Sequence, residues 1–242
     1  GNNSCGSRSI AYGNMVHNVL GAQAWLADGS LIDWGPYAQS QGRAREIGDF
    51  LRSLADRLAP DIEAQWPKVL RRVAGYNLDI FNPQGPRPYT ADGSVNLSHV
   101  LVGSEGTLAL TRQLKLQLQP LPRHKVLGVV NFPSFHQAMA SAQHIVRLGG
   151  PGQLMAVELV DRTMIELSLR NPAFAPTVRT ALLGEPDAVL LVEFAGDSKA
   201  QISPLLDDLE TLMGDLGLPG SVVKMVDDTA QKNLWEVRKA GL

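Results

Sequence analysis

Two glycine-rich segments, residues 1–9 (followed by Tyr12-Gly13) and 103–108, contain the side chains and spacing best suited to binding a phosphate group. Glycine permits positive φ and close backbone approach, so consecutive N–H groups can converge on a pyrophosphate while Asn and Ser add donors. Neither segment has the G-x-G-x-x-G spacing of a nicotinamide-binding turn, and a P-loop is absent from the sequence. Ordinary tight turns have the same composition and are the more frequent reason for it.

The remaining chemically active side chains do not form a recognisable site. His136 and His144 are eight residues apart on a predicted helix, too far along the axis to chelate one ion, and the other histidines are scattered. The acidic pairs Asp207-Asp208 and Asp227-Asp228 are better explained as a solvated helix face and a helix start. We therefore predict no metal site within this chain.

The overall composition excludes several classes of function. The charge balance of 22 basic against 24 acidic residues leaves no strong field for nucleic acid, so we expect no nucleic-acid partner. No apolar run approaches the roughly 20 residues of a membrane span, and we expect a cytoplasmic protein. The single cysteine, Cys5, excludes an internal disulfide and a cysteine-ligated cluster within the chain.

The first half of the sequence predicts a hairpin, a helical segment and a later strand. Turn residues 27–30 separate apolar residues 19–27 from Leu31 and Ile32, which predicts a β-hairpin. Helical periodicity extends from Gly42 to about Leu70, as one surface helix or a helix pair. The alternation of Leu114, Leu116 and Leu118 with polar residues predicts a strand with one buried face.

The second half predicts strand, helix, strand, repeated twice. We place a domain boundary at Pro120 and Pro122, giving domains at residues 1–122 and 123–242. Ser134 and Ser198 each precede a glutamine by three residues, which is the pattern of a helix N-terminus. Two βαβ units of this size predict an α+β, ferredoxin-like antiparallel sheet with helices on one face.

Two ordered sets of motifs resemble the FAD-linked oxidase family typified by vanillyl-alcohol oxidase. The motifs are Gly1-Asn2-Asn3-Ser4-Cys5-Gly6, Tyr12-Gly13, Asn18-Val19-Leu20-Gly21 and Leu26-Ala27-Asp28-Gly29, followed by residues 101–111, LVGSEGTLALT. The resemblance implies the second half of an FAD-binding domain followed by the start of the FAD-linked oxidase C-terminal domain, which covers the flavin. It also implies that FAD is the cofactor.

Within the family, the sequence is most similar to the D-lactate, glycolate oxidase and D-2-hydroxyglutarate dehydrogenase branch. Residues 72–79, RVAGYNLD, and 234–242, LWEVRKAGL, look like a long bacterial subgroup in which an iron–sulfur region follows the flavin part. The resemblance implies hydride transfer from the α-carbon of a D-2-hydroxy acid to FAD, with the electrons leaving through another centre. D-2-hydroxyglutarate is then the first substrate to consider.

The resemblance also assigns roles to individual residues. Asn2, Asn3, Ser4, Cys5 and Gly6 match the loop that contacts the FAD pyrophosphate and flavin edge, whereas Glu105, Gly106, Thr107 and Leu110 match the segment along the adenosine half. Ala109 and Cys5 depart from the residues common in relatives.

Arg238 matches an arginine that holds the substrate carboxylate in the hydroxyglutarate branch, and two parallel hydrogen bonds suit that task. Without the resemblance, a solvated arginine paired with Glu236, or with nothing, would be the simpler interpretation.

Three expectations concern the complete protein. Because Gly1 lies in a loop and residues 235–242 end within a predicted helix, we expect a fragment. The resemblance places the family's upstream glycine-rich pyrophosphate loop before Gly1, so we expect this fragment to bind FAD poorly or not at all and to be inactive alone. The family's metal motif and catalytic base would lie beyond Leu242. Two alternatives stay open: a non-catalytic ferredoxin-like module for small-molecule binding or dimerisation, and a sugar or alcohol oxidase from another branch.

Overall fold

The computed structural model describes residues 2–69, 71–85, 87–150 and 152–240. It divides into two compact units, Gly1–Gln119 and Pro120–Leu242, which we call unit 1 and unit 2. Gly1, Gly241 and Leu242, which belong to the motifs quoted above, lie outside the described residues. No helix in the described parts of the chain has the length and apolar character needed to cross a membrane.

Unit 1 combines short helices with a small antiparallel sheet. Its elements are α1 (Ser9–Tyr12), α2 (Met15–Asn18), β1 (Val19–Trp25), β2 (Leu31–Trp34), a 3-10 helix at Tyr37–Gln39, α3 (Gly42–Arg57), α4 (Ala59–Gln65), a second 3-10 helix at Leu78–Phe81, α5 (Ser98–Leu101) and β3 (Leu110–Leu116). The described strands of this unit are ordered β2-β1-β3.

The predicted hairpin is present, and local chemistry explains its turn. Trp25 pairs with Leu31 across β1 and β2. Gly29 has a φ of 84°, which glycine adopts at little cost, and the Ser30 amide donates to Asp28 Oδ1 over 2.9 Å. The predicted helical segment is a pair, α3 and α4, and Tyr37 packs so closely on α3 that a Cβ at Gly48 would lie 2.8 Å from its ring.

The prediction of one buried face for the strand around Leu114 is wrong. β3 forms and pairs with β1, but all seven of its side chains are exposed. Leu110 is 70% exposed and Leu114 is 49% exposed. The alternation correctly indicates a strand, but no described part of unit 1 covers its apolar side.

Unit 2 has the predicted ferredoxin-like topology. Its elements are β4 (His124–Phe132), α6 (Phe135–Ile145), β5 (Leu154–Asp161), α7 (Arg162–Arg170), α8 (Ala175–Ala181), β6 (Ala188–Gly196), α9 (Lys199–Ile202), α10 (Pro204–Asp215), β7 (Val222–Met225) and α11 (Asp228–Ala240). The strand order is β5-β6-β4-β7 with every neighbouring pair antiparallel. The α+β prediction is therefore confirmed.

Helices cover both faces of this sheet, so the prediction of helices on one face is wrong. Gly128 of β4 lies against α10, where an added Cβ would be 2.5 Å from Leu209 Cδ2. On the opposite face, Leu127 and Val129 belong to a core that includes Ile165 of α7 and Leu234 of α11, together with Ala181 of α8. Residues that alternate along β4 are consequently buried on both sides.

Helix starts in unit 2 follow the capping chemistry of the sequence. The Ser134 side chain accepts a hydrogen bond from the Gln137 amide, and Ser198 does the same for Gln201. Asp161 caps α7 by accepting from the Met164 amide over 2.9 Å. Helices α7 and α8, which come between β5 and β6 and, with α11, cover the second face of the sheet, were not predicted from the sequence.

Candidate functional site

The N-terminal loop is held in place by Asn3. Its Oδ1 accepts from the Val16 amide over 3.0 Å, and its Nδ2 lies 3.4 Å from the Arg72 carbonyl oxygen. Asn3 is only 2% exposed, so its amide serves the protein's own structure. Asn2, Ser4 and Gly6 are exposed, and Cys5 is half-buried. The exposed residues are therefore the part of this loop that a cofactor can reach.

The second glycine-rich segment forms a tight turn with an exposed tip. Ser104 is buried, and its hydroxyl donates to the Leu101 carbonyl over 2.8 Å. Glu105 and Gly106 both have positive φ, 51° and 86°, and the Thr107 amide closes the turn on the Ser104 carbonyl. Glu105, Gly106 and Thr107 are exposed, and Leu110 follows on the exposed strand β3.

Three segments singled out in the sequence meet in unit 1. A Cβ placed on Gly103 would lie 2.8 Å from the Gly75 carbonyl oxygen and 3.7 Å from Asn3 Cβ. Tyr76 Oη and Thr107 Oγ1 are 2.8 Å apart. We call this meeting of residues 2–6, 72–77 and 103–108 the three-loop junction. Glycine at position 103 is required there because its φ is 91° and the backbone of residue 75 leaves no room for a side chain.

Two glycines near the junction stand in open space, which bears on whether FAD fits. Nothing in the described protein lies within 4 Å of a Cβ at Gly6 or at Gly106. Gly106 is explained by its positive φ, but Gly6 has no such φ. Close approach of a ligand is a physical reason for glycine where neither backbone conformation nor neighbours require it. Both glycines therefore leave open space beside the junction, and that space is compatible with a pyrophosphate approaching the backbone.

A broad groove adjoins the junction. Gly75, Tyr76 and Leu108 contribute to its lining, together with Leu51 and Leu54 of α3, and its volume is about 720 Å³. This volume falls within the range of roughly 300–1,000 Å³ typical of cofactor and ligand pockets. Its lining is mostly apolar, which suits a planar aromatic ring.

A buried ion pair adjoins the three-loop junction, because Arg72 is one of the residues of the junction. Arg72 Nη2 lies 2.6 Å from Asp79 Oδ2, and both side chains are largely buried. Tyr89 Oη donates to the Asp79 carboxylate over 3.1 Å and contacts Arg72. Together with His17 these residues line a cavity of about 540 Å³. None of these residues has a role predicted from the sequence; Arg72 and Asp79 lie in the motif of residues 72–79, whereas nothing in the local sequence marks Tyr89.

His17 and His99 are packed against Tyr89 as neutral rings. Their ring centroids are each 5.8 Å from that of Tyr89, edge to face. Burial lowers the pKa of His99 to about 4, although a hydrogen bond between Nε2 and the Val19 carbonyl opposes this shift. Burial is also the main cause that lowers the pKa of His17. Burial therefore favours the uncharged form of both histidines.

In unit 2, Arg238 is paired with Glu158, a residue to which the sequence analysis gave no role. Arg238 lies in the last turn of α11, and its Nη2 is 2.6 Å from Glu158 Oε2 on β5. The alternatives of Glu236 or no partner were wrong, because Glu236 pairs with Lys239 instead. No local sequence signal indicates the pair, since 80 positions separate its members. Among the residues that the structure describes, no cluster of three His, Cys, Asp or Glu side chains could hold a metal.

Curated proteins of similar sequence include several dehydrogenases. The D-2-hydroxyglutarate dehydrogenase of Escherichia coli strain K12 is 29% identical over 87% of this chain. The probable mitochondrial D-lactate dehydrogenase of Danio rerio is 26% identical over 96% of the chain and 35% of its own length. The chain spans 21% of the length of the E. coli protein.

A solved structure and a family model complete the comparison. A structure of alkyldihydroxyacetonephosphate synthase matches 92% of this chain and 31% of its own, with a TM-score of 0.52 and 13% identity, a likeness that concerns the fold alone. Residues 121–242 match the family model of the C-terminal domain of FAD linked oxidases. Because this match covers half of the chain, the protein belongs to the FAD-linked oxidases.

Proposed function

We propose that this chain is part of an FAD-dependent dehydrogenase that oxidises a D-2-hydroxy acid, such as D-2-hydroxyglutarate or D-lactate, to the 2-oxo acid. In this proposal residues 1–122 are the C-terminal part of the FAD-binding domain, and residues 123–242 begin the substrate domain. The convergence of three separate sequence motifs at Gly103, Gly75 and Asn3 carries the proposal. The names of the curated relatives support the choice of substrate class.

The roles of individual residues follow from their exposure. Asn2, Ser4, Cys5 and Gly6 would face the pyrophosphate and flavin edge, with Asn3 fixing the loop that presents them. Glu105, Gly106, Thr107 and Leu110 would lie along the adenosine half. FAD, when bound, supplies the hydride acceptor, whereas the protein supplies position and electrostatics.

Arg238 would bind the substrate carboxylate. A guanidinium presents five N–H donors in a planar fork that matches a carboxylate. The observed ion pair involves Nη2, and the other donors of a half-buried guanidinium remain suited to a second carboxylate. Alanine at Arg238 in the complete protein should lower kcat/KM for 2-hydroxy acids at least tenfold, the scale of a charged hydrogen bond of about 1.5–3 kcal/mol. Unchanged kinetics would reject this role.

The electron acceptor and the cellular location complete the proposal. We place the acceptor, for example an iron–sulfur region, elsewhere in the complete protein, because the chain has one cysteine and cannot ligate a cluster by itself. Electron paramagnetic resonance of the substrate-reduced protein would test for such a centre. The cytoplasm is consistent with the single free cysteine, since disulfides are rare in reducing compartments, and cell fractionation would test it.

The cofactor assignment can be tested with two glycine variants. Gly6→Ala causes no clash within the protein, so it should fold normally but bind FAD about tenfold more weakly, a loss of about 1.4 kcal/mol. Gly214→Ala, on α10 and also in open space, is the matched control and should retain FAD. Flavin absorbance of the purified complete protein and titration of the apoprotein provide the measurement. A colourless wild-type protein would overturn the proposal.

The substrate class requires a separate experiment. Turnover of D-2-hydroxyglutarate, D-lactate, glycolate and simple alcohols should be compared with an artificial electron acceptor. Activity confined to 2-hydroxy acids supports the proposal. Preference for a simple alcohol would assign the protein to another branch of the family.

A further inference from the structure

We infer that Glu158 is a positioning residue that holds Arg238 in the orientation needed to receive the substrate carboxylate. The inference rests on the proposed role of Arg238. Local spacing in the sequence does not indicate this pair, because strand β5 and helix α11 bring the two residues together from positions 80 residues apart.

The strand fixes the position of the carboxylate. Glu158 lies opposite Leu191 in the pairing of β5 with β6, and Leu191 belongs to the core shared with Leu234 of α11. Glu158 therefore projects toward the face on which α11 packs. Its side chain is 12% exposed and that of Arg238 is 25% exposed, so water screens this pair less than a surface pair.

Several other ion pairs in unit 2 are more exposed, including that between Lys224 of β7 and Asp207 of α10, in which the Asp207 side chain is 72% exposed. Arg162–Glu166 and Lys239–Glu236 join residues of one helix, and their side chains are about half exposed or more. Such pairs contribute roughly 0–1 kcal/mol. The Glu158–Arg238 pair instead joins the end of a helix to the sheet, so it restrains the guanidinium relative to the core.

Glu158 has no obvious substitute on this face of the sheet. Glu193, the other acidic residue of the face, lies opposite Ala156 and is 3.5 Å from Lys125 Nζ, which is its ion-pair partner. Near Arg238 the cavity lining is apolar and includes Val160 and Leu234. Loss of the Glu158 carboxylate would therefore leave the arginine head group without a charged anchor from the sheet.

The chemistry allows Arg238 to bind two carboxylates at once. Glu158 accepts from Nη2, and a guanidinium has further N–H donors on its other edge. Substrate binding then requires no rupture of the internal pair. Anchoring one edge reduces the rotamer freedom that the long arginine side chain would otherwise lose when substrate binds.

The test compares variants of the FAD-loaded complete protein. Glu158→Ala should raise KM for the D-2-hydroxy acid about tenfold with a smaller change in kcat, and should weaken binding of the 2-oxo acid measured by perturbation of flavin absorbance. Glu158→Gln should recover much of the loss, because its amide oxygen can still accept from Nη2. Glu236→Ala, which removes the neighbouring surface pair, is the matched control and should behave as wild type.

A double variant separates this inference from the proposed function. If Glu158 acts through Arg238, then Glu158→Ala adds no further loss of kcat/KM in an Arg238→Ala background. Additive losses, or a Glu158→Ala protein with wild-type KM, would overturn the inference alone. An Arg238→Ala protein with wild-type kinetics would instead overturn the proposed role of Arg238.

A purely structural role for Glu158 predicts a different pattern. It would lower the melting temperature without a selective rise in KM. If Glu158→Ala fails to fold, Glu158→Asp can replace it in the test. Aspartate keeps the negative charge, but its side chain is shorter by one methylene. A raised KM at unchanged melting temperature in this variant supports positioning, and an unchanged KM overturns it.

Discussion

Gly103 is the residue on which the three-loop junction depends most directly. Its φ of 91° and the carbonyl of residue 75, 2.8 Å from an added Cβ, both oppose a side chain. Gly93 has a comparable φ of 71° but open space around it. Gly93→Ala should therefore cost about 1 kcal/mol of unfolding free energy from backbone strain, whereas Gly103→Ala should cost about 2–4 kcal/mol. Urea denaturation measures both, and equal losses would contradict the crowding argument.

His99 should make unit 1 sensitive to acid. Its pKa falls from 6.5 to about 4 on folding, so the unfolded chain takes up a proton below pH 6.5 and the folded chain does not until about pH 4. Stability contributed by neutral His99 is thus present above pH 6.5 and lost as the pH falls toward 4. The loss between about pH 7.5 and about pH 5 should be about 2 kcal/mol.

Two histidine variants isolate this effect from the titration of carboxylates. His99→Gln should show a shallower pH dependence of unfolding free energy than wild type, even if it is less stable at neutral pH. His136→Gln, at an exposed position on α6, should keep the wild-type slope. Identical slopes in all three proteins would argue against His99 as the source.

At the level of elements, geometry decides which serine stabilises a helix. Ser134 accepts from the Gln137 amide over 3.3 Å, whereas Ser203, at the start of α10, makes no side-chain cap. Ser134→Ala should therefore destabilise unit 2 by about 1 kcal/mol, and Ser203→Ala should have little effect. Thermal or urea unfolding of the two variants provides the comparison, and equal effects would contradict it.

Elements set by local chemistry could be predicted from the sequence. Trp25, Gly29 and Leu31 specify the hairpin through strand pattern and turn chemistry. The alternation around Leu114 predicts a strand but cannot show whether its apolar face is buried, because burial depends on which elements pack against the strand. The helices α7 and α8 were also not predicted, although Asp161 gave α7 a local start signal; only their packing on the second face of the sheet is a property of tertiary structure.

In the candidate site, some residues can be identified from local sequence motifs, and others only from the packing of distant segments. Asn3, Gly103 and Arg238 were singled out from motifs, and the structure adds what each one touches. Glu158 could not be found in this way, since its relation to Arg238 is created only by the packing of α11 on β5. Partners that position a functional residue are thus less visible in a single sequence than the residue itself.

At the scale of the whole molecule, the two units differ in how completely they bury apolar surface. In unit 2 the central strand β4 is covered on both faces, by α10 on one side and by α7, α8 and α11 on the other. In unit 1, all side chains of β3 are exposed, and Leu110 and Leu114 are prominent among them. An exposed apolar edge strand favours association and lowers the gain from folding.

Residues 120–242 expressed alone should therefore unfold cooperatively in urea, whereas residues 1–119 alone should aggregate or unfold without a sharp transition. Leu209→Asp in the fragment of residues 120–242 is the control, because Leu209 is fully buried and a charge there should abolish the transition. Circular dichroism and size-exclusion chromatography distinguish the outcomes. A cooperative, monomeric fragment of residues 1–119 would mean that the exposed leucines of β3 cost unit 1 little stability.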